Sequence, residues 1–171
     1  MGHQDHRARA PRRVGVALVT VSSSRSAAED RSGPRMAELV ASSGHEVVAH
    51  ELVSDAIEPI RACLEDLGGR EGVRAVFLSG GTGVAQQDVT VEAVGPKIEA
   101  WLPGFGEIFR QLSFEEIGPA AMLSRACAGV ARLAGRRVLV ACLPGSPGAV
   151  ELALERLLLP ELGHVIYEME R

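Results

Sequence analysis

Apolar residues recur along the chain in two rhythms. Val14 to Val21 (VGVALVTV) is apolar on both faces, which suits a strand at the centre of a sheet covered by helices on either side. His45 to Val53 (HEVVAHELV) and Val73 to Leu78 (VRAVFL) read as second and third strands. Between them the period lengthens to that of a helix. Met36, Leu39 and Val40 make one stripe, and Ile60, Leu64 and Leu67 make another. Pro34 suits the first turn of the first helix, either Ser32 or Asp30 is placed to cap it, and Gly44 is placed to stop it. Gly68-Gly69 ends the second. After Thr90 a short helix carries Val91 and Val94 and closes at Gly95-Pro96. Trp101 to Gly104 reads as a loop, and Phe105 to Ile117 as a helix burying Ile108, Phe109 and Leu112. Met122 to Leu133 fits strand or helix. The short break Ala134-Gly135-Arg136 before the strand Arg137 to Leu143 suits a hairpin. Pro144 to Gly148 is a turn that feeds an amphipathic helix from Ala149 to about Leu159, where Pro160 kinks or ends it.

Strands alternating with helices at this spacing predict an α/β fold. It is a doubly wound, mostly parallel sheet with helices on both faces and a later antiparallel addition. Residues 1–13 read as a flexible basic tail and 14–171 as one domain. In such folds ligands bind at the carboxyl ends of the strands. The polar, glycine-rich breaks Ser22–Gly33, Ser54-Asp55, Gly80–Asp88 and Pro144–Gly148 each follow a strand. Four loops are therefore expected on one edge.

The central break lies in Val76 to Thr90, VFLSGGTGVAQQDVT. Gly80, Gly81 and Gly83 allow positive φ and close approach of a ligand. Backbone N–H groups in such a turn, beside a helix N-terminus, suit a phosphate. A tight βα turn without a ligand fits the same residues. The spacing matches neither a P-loop nor a dinucleotide fingerprint. With Asp55 and Asp88 on the same edge, two carboxylates suggest a divalent cation, most naturally Mg²⁺, shared with phosphate oxygens. The competing reading is that each aspartate is a helix N-cap. Arg25 and Arg125 are candidates for phosphate oxygens, with surface charge as the alternative. The hydroxyls of Ser22, Ser24, Thr82 and Ser146 suit donation to phosphate or to turn backbone. His45, His50 and His164 lie in or beside apolar segments, where a structural imidazole is expected.

Composition narrows the classes. The 171 residues are 46% hydrophobic and 23% charged, with net charge −4 and pI near 5.8, so no basic field exists to gather nucleic acid. Lys97 is the only lysine. Cys63, Cys127 and Cys142 are odd in number and widely spaced, which argues for free thiols in a reducing cytoplasm. No apolar run approaches the roughly 20 residues that span a bilayer. MGHQDHRARAPRR lacks the apolar core of a signal peptide.

Taken in order, the loops resemble one family. Ser24-Arg25, Asp30 with Ser32-Gly33, Val53 to Asp55, and Ser79-Gly80-Gly81-Thr82-Gly83 followed by Asp88-Val89-Thr90 and Glu92-Ala93 carry the likeness. Gly104 to Glu107 with Phe109-Arg110, Leu123-Ser124-Arg125-Ala126, and Leu143-Pro144-Gly145-Ser146-Pro147 with Ala149 complete it. The ordered set is similar to the MoaB/Mog family of molybdenum-cofactor biosynthesis proteins, which includes the G domain of gephyrin. The resemblance implies a pterin-binding α/β domain, usually a homotrimer and sometimes a hexamer, possessing molybdopterin and ATP as substrates and Mg²⁺ as cofactor. Active members adenylylate molybdopterin ahead of molybdate insertion, so other molybdenum-cofactor biosynthesis proteins are expected partners. Two acidic positions matter in those members, and they fall on Asp55 and Asp88. The Gly80–Gly83 loop and the Pro144-Gly145-Ser146-Pro147-Gly148 loop would hold pterin phosphate and nucleotide.

Three positions depart from the pattern. Gln87 stands where many relatives have Arg, Val91 where Pro is frequent, and Ser23 where Asp is common. The family also contains paralogues with a less clear catalytic role. Two functions follow: a molybdopterin adenylyltransferase, or a non-catalytic molybdopterin-binding or carrier protein. The leucines of the C-terminal helix (Leu152, Leu154, Leu157, Leu158 and Leu159) fit either a subunit interface or the core.

Overall fold

The computed structural model describes residues 10–22 and 30–171. Among these, six strands form one sheet in the order β2-β1-β3-β6-β5-β4. They are β1 (Gly15–Val21), β2 (Glu46–Val53), β3 (Val73–Ser79), β4 (Ile98–Trp101), β5 (Cys127–Leu133) and β6 (Arg136–Leu143). The helices are α1 (Ser32–Ser42), α2 (Ile57–Gly69), α3 (Thr90–Val94), α4 (Pro103–Ile117), α5 (Pro147–Ala153) and α6 (Leu159–Glu170). β2, β1, β3 and β6 run parallel, whereas β5 is antiparallel to β6 and β4 to β5.

Why β1 and β3 are mostly apolar is visible in the two cores. Val16 and Leu18 of β1, with Phe77 of β3, pack beneath α1, α4, α5 and α6. Ala17, Val19 and Val21, with Val76 and Leu78, pack on the other face against Ile60, Leu64 and Leu67 of α2 and Val94 of α3. Alternate residues of one strand thus serve opposite layers. The chain leaves β1 towards β2 and returns to place β3 on the other side of β1. A doubly wound sheet opens its crevice at such a reversal, here at the ends of β1 and β3.

The run Met122 to Leu133 divides into a 3₁₀ stretch over Gly118–Leu123 and the strand β5. β5 and β6 form the expected hairpin, with Leu133 paired to Arg136 across Ala134 (φ 45°) and Gly135 (φ 77°). Two positive-φ residues define the mirror-image turn that matches strand twist. Ala134 tolerates it with help: its N–H donates to Glu65 Oε2 at 2.7 Å, and Glu65 Oε1 pairs with Lys97 at 2.6 Å.

Three expectations need correction. Ile98–Trp101 is a short edge strand, and Pro103, not Phe105, starts the next helix. The strand is only four residues long and three of them pair, too few for a period-2 pattern to show. Ile108 is 48% exposed, while Phe109 is buried. Neither does the last helix stop at Pro160. A π turn over Leu154–Leu158 joins α5 to α6, and Pro160 sits in the first turn of α6. Proline is tolerated there because that N–H needs no partner in the new turn. Leu152, Leu154, Leu158 and Leu159 belong to the core, and Leu157 is half-buried against it. At the other end, Ala10 and Pro11 lie against Gly163, while residues 1–9 fall outside the described range.

All three cysteines are free, with Cys127 directly opposite Cys142 across β5 and β6. Burial pushes the Cys63 thiol up to about 11. His45 behaves as a structural imidazole. Its Nδ1 accepts from the Val14 N–H at 3.3 Å, and burial lowers its pKa from 6.5 despite a hydrogen bond to the Leu159 backbone. A folded-state value below the unfolded one means that the unfolded chain protonates first. Stability from this group is complete above the unfolded value and declines as pH falls below about 6.5. His45→Gln should therefore flatten the loss of stability between about pH 7 and pH 5. Urea midpoints across that range test it, and equal slopes for variant and wild type would refute the assignment.

Candidate functional site

β3 ends at Ser79, and the next residue keeps the sheet register: the Gly80 N–H donates to the Leu143 carbonyl at 3.0 Å. The chain then turns through Gly80 (φ 107°) and Gly81 (φ 66°). A Cβ on Gly80 would collide with the Val21 carbonyl oxygen, and one on Gly81 with Thr90 Oγ1. The turn is closed from the start of α3. Thr90 Oγ1 donates to the Gly80 carbonyl at 2.8 Å, and the Thr90 N–H donates to the Gly81 carbonyl at 3.1 Å. Thr90 is fully buried. Gly145 comes close enough that its Cβ would stand 3.3 Å from Gly80 Cα.

These turns wall a cleft of about 580 Å³ at the carboxyl edge of the sheet. Gly80, Gly81, Thr82 and Gly83 form one side, and Pro144, Gly145 and Ser146 another. Asp55 and Asp88 both line it, with Val21, Ser22, Gln87, Leu123 and Ser124. Both aspartates therefore line the same cleft as the three-glycine bend. By position neither is the N-cap residue: those of α2 and α3 are Ala56 and Val89. Asp88 Oδ2 instead accepts from the Ala85 N–H at 2.9 Å. Gly83 makes room for this carboxylate, because a Cβ there would sit 2.6 Å from Asp88 Oδ2.

Other expected residues stand outside the lining. Buried Ser79 donates to the Pro144 carbonyl at 3.3 Å and links the two loops. Pro147 and Gly148 form the first turn of α5, behind Ser146, whose Oγ accepts from the Ala149 N–H at 3.4 Å. Arg125 turns its guanidinium to the outer side of the glycine loop, donating to the carbonyls of Gly83 at 2.6 Å and Asp88 at 2.7 Å. It therefore does not line the cleft. Ser24 and Arg25 lie outside the described residues.

Asp30, expected at the start of the first helix, also anchors a cluster near the site whose other members were not anticipated. Buried Asp30 accepts from Thr20 Oγ1 at 2.6 Å and from the Gly33 N–H at 2.9 Å, and its Oδ2 lies 3.6 Å from His50 Nε2. It fixes the start of α1, where Arg31 is the N-cap residue and Ser32 donates to the Gly145 carbonyl at 2.8 Å. Neither Asp30 nor Ser32 occupies the cap position itself. A threonine within the otherwise apolar β1 was the available signal, since a buried hydroxyl requires a partner.

Among the described residues that line the cleft, the charged side chains are Asp55 and Asp88, and none is cationic. No group of three or more His, Cys, Asp or Glu residues able to hold a metal occurs among the described residues. The donor set suits Mg²⁺ shared with a ligand. That ion binds through one or two carboxylates and completes its shell with water and phosphate oxygens.

Residues 17–164 match the family described as a probable molybdopterin binding domain. The chain belongs to this family. That match spans every residue lining the cleft, from Val21 to Ser146. Molybdenum cofactor biosynthesis protein B of Halalkalibacterium halodurans is 44% identical over 170 residues, covering 99% of this chain and 98% of the relative. A crystal structure of a molybdenum cofactor biosynthesis protein B superposes with TM-score 0.88 at 42% identity, over 95% of this chain and 99% of that one. The tungsten cofactor synthesizing protein MoaB from Pyrococcus furiosus gives 0.82 at 34% identity, over 95% and 100%. Family membership and fold thus agree with the ordered motifs.

The glycine turn yields a direct test. Gly81→Ala should lower stability by about 1–3 kcal/mol, because it adds positive-φ strain and pushes Thr90 off the Gly80 carbonyl. Denaturant titration measures this, and an unchanged midpoint would show that the bend tolerates a side chain.

Proposed function

We propose that this protein acts in molybdenum-cofactor biosynthesis as a molybdopterin adenylyltransferase that uses Mg-ATP. The observation that carries the reading is the cleft itself. Carboxylates from two separate strand-end loops meet a glycine turn built for close backbone approach, with no cationic side chain in the described lining. A divalent ion held by the two carboxylates would offset the charge of a polyphosphate bound there.

In the proposed reaction a phosphate oxygen of the pterin attacks the α-phosphorus of ATP. The new O–P bond forms as the bond to the β-phosphate oxygen breaks, and pyrophosphate leaves. Bound Mg²⁺ would supply charge neutralisation during transfer. Asp55 and Asp88 would hold that ion against the phosphates. Backbone N–H groups of the Gly80–Gly83 turn, with the Pro144–Ser146 loop, would orient the two substrates for in-line displacement. The hydroxyls of Thr82, Ser124 and Ser146 are suited to phosphate oxygens.

A second reading rests on Gln87, a neutral residue in the lining where many relatives place Arg. It makes the protein a molybdopterin-binding carrier that binds pterin without Mg-ATP and releases no pyrophosphate. Incubation with molybdopterin and Mg-ATP, followed by mass analysis for adenylylated pterin, separates the two. Asp55→Asn and Asp88→Asn should each cut product formation on the order of 100-fold with the fold retained. Full product formation by either purified variant would remove that aspartate from the mechanism.

The working unit is proposed as a homotrimer or hexamer in the cytoplasm. In support, α4 and the turn after it carry exposed Phe114 (57%), Ile117 (60%) and Met122 (78%), an apolar surface that a lone subunit would leave wet. No helix among the described residues is long and apolar enough to cross a membrane. Phe114→Glu combined with Ile117→Glu should reduce the mass seen by sedimentation to that of a monomer. An unaltered assembly would place the interface elsewhere.

A further inference from the structure

Arg125 gathers the outer side of the glycine loop. Its backbone N–H donates to the Thr82 carbonyl at 2.9 Å, its Nε to the Gly83 carbonyl at 2.6 Å and its Nη2 to the Asp88 carbonyl at 2.7 Å. The remaining side of the guanidinium meets Glu92 of α3: Nη1 donates to Oε1, and Nη2 approaches Oε2 at 3.4 Å. Three loop carbonyls and one helix carboxylate thus converge on a residue from the segment before β5. The guanidinium accounts for two of these carbonyls and the carboxylate, which its planar fork of fixed N–H directions suits.

The consequence for the loop is geometric. None of the described peptide bonds is cis, and in a trans peptide the carbonyl and the following N–H point in opposite directions. With the carbonyls of Thr82, Gly83 and Asp88 held by Arg125, the N–H groups of Gly83, Val84 and Val89 are turned away from it. Thr82, Gly83 and Asp88 line the cleft, and Arg125 does not. Glu92 keeps the guanidinium occupied, and its own carboxyl titrates below the usual range chiefly through the hydrogen bond from Arg125.

We infer that Arg125 and Glu92 form a positioning pair that sets the 82–88 loop, and with it the Asp88 carboxylate, and that Arg125 is not a phosphate ligand. The effect on transfer rests on the reading of the cleft as the adenylylation site, whereas the effect on the loop does not. The two arrangements predict different outcomes. A phosphate-binding arginine is partly replaced by lysine, and removing its carboxylate partner would strengthen ATP binding. A positioning fork is not replaced by lysine, and losing Glu92 does harm of the same kind as losing Arg125.

Arg125→Lys and Glu92→Gln provide the test, as conservative variants whose folding is verified by circular dichroism. Amide exchange in residues 82–88 should accelerate about tenfold in both, as expected from the loss of one or two net hydrogen bonds. The Mn²⁺ concentration that half-saturates the protein in the presence of ATP, read by electron paramagnetic resonance, should rise in both variants. For adenylylation, kcat should fall several-fold while the KM for ATP changes less than about twofold. Wild-type exchange rates in both variants, or a rise in ATP KM confined to the arginine variant, would overturn the inference. Absence of AMP transfer by the wild type would refute the proposed function alone, and the exchange measurement would still decide the role of the pair.

Discussion

The hydrogen bond from the Thr90 hydroxyl to the Gly80 carbonyl is the interaction on which the site depends. It joins the end of the central strand to the start of α3 across a bend that only glycine enters easily. Because Thr90 is buried, losing the bond would leave a polar group dry, which costs more than the bond itself contributes. The cleft and the approach of the Gly145 loop both follow from holding this bend open. Beneath it lies a buried, largely apolar sheet centre that gives the bend a rigid base.

Much of the fold was legible, for identifiable reasons. β1 and β3 are buried on both faces, so their sequences are continuous apolar runs that no surface element imitates. α1 and α2 each cover one face of the sheet and show a helical stripe. β4 was hidden because four half-exposed residues at a sheet edge carry almost no pattern. The continuation beyond Pro160 was hidden because proline ordinarily ends a helix, and its tolerance depends on a π turn that local sequence does not announce. Ile108 looked buried by periodicity, but α4 presents that side to solvent.

The site was legible at the level of loops and less so at the level of side chains. Each strand-end break could be placed on one edge from topology alone, which brought Asp55, Asp88 and both glycine turns together. Whether an individual polar group faces the cleft or its own scaffold depends on angles that spacing does not encode. Arg125 and Ser79 show this: both belong to the right loops, yet they spend their donors on neighbouring backbone. Asp30 shows the reverse case, a carboxylate whose work is to fix a helix start through Thr20 and Gly33. The absence of a cationic side chain from the described lining also required coordinates, since Arg125 stands close in sequence to residues that do line it.

The π turn between α5 and α6 shifts the phase of everything after it. Val150, Ala153 and Leu154 set a buried stripe that an uninterrupted helix would carry on to positions 157, 161, 165 and 168. The buried residues are instead Leu158, Leu162, Ile166 and Met169, one step later. A residue step is worth about 100° of rotation about the helix axis. The extra residue therefore acts as a fixed angular offset. Rewinding that turn as ordinary α-helix with every residue kept would swing Leu162 and Ile166 off the sheet and bring Glu161 and Glu168 towards it, although no side chain in the cleft had been touched.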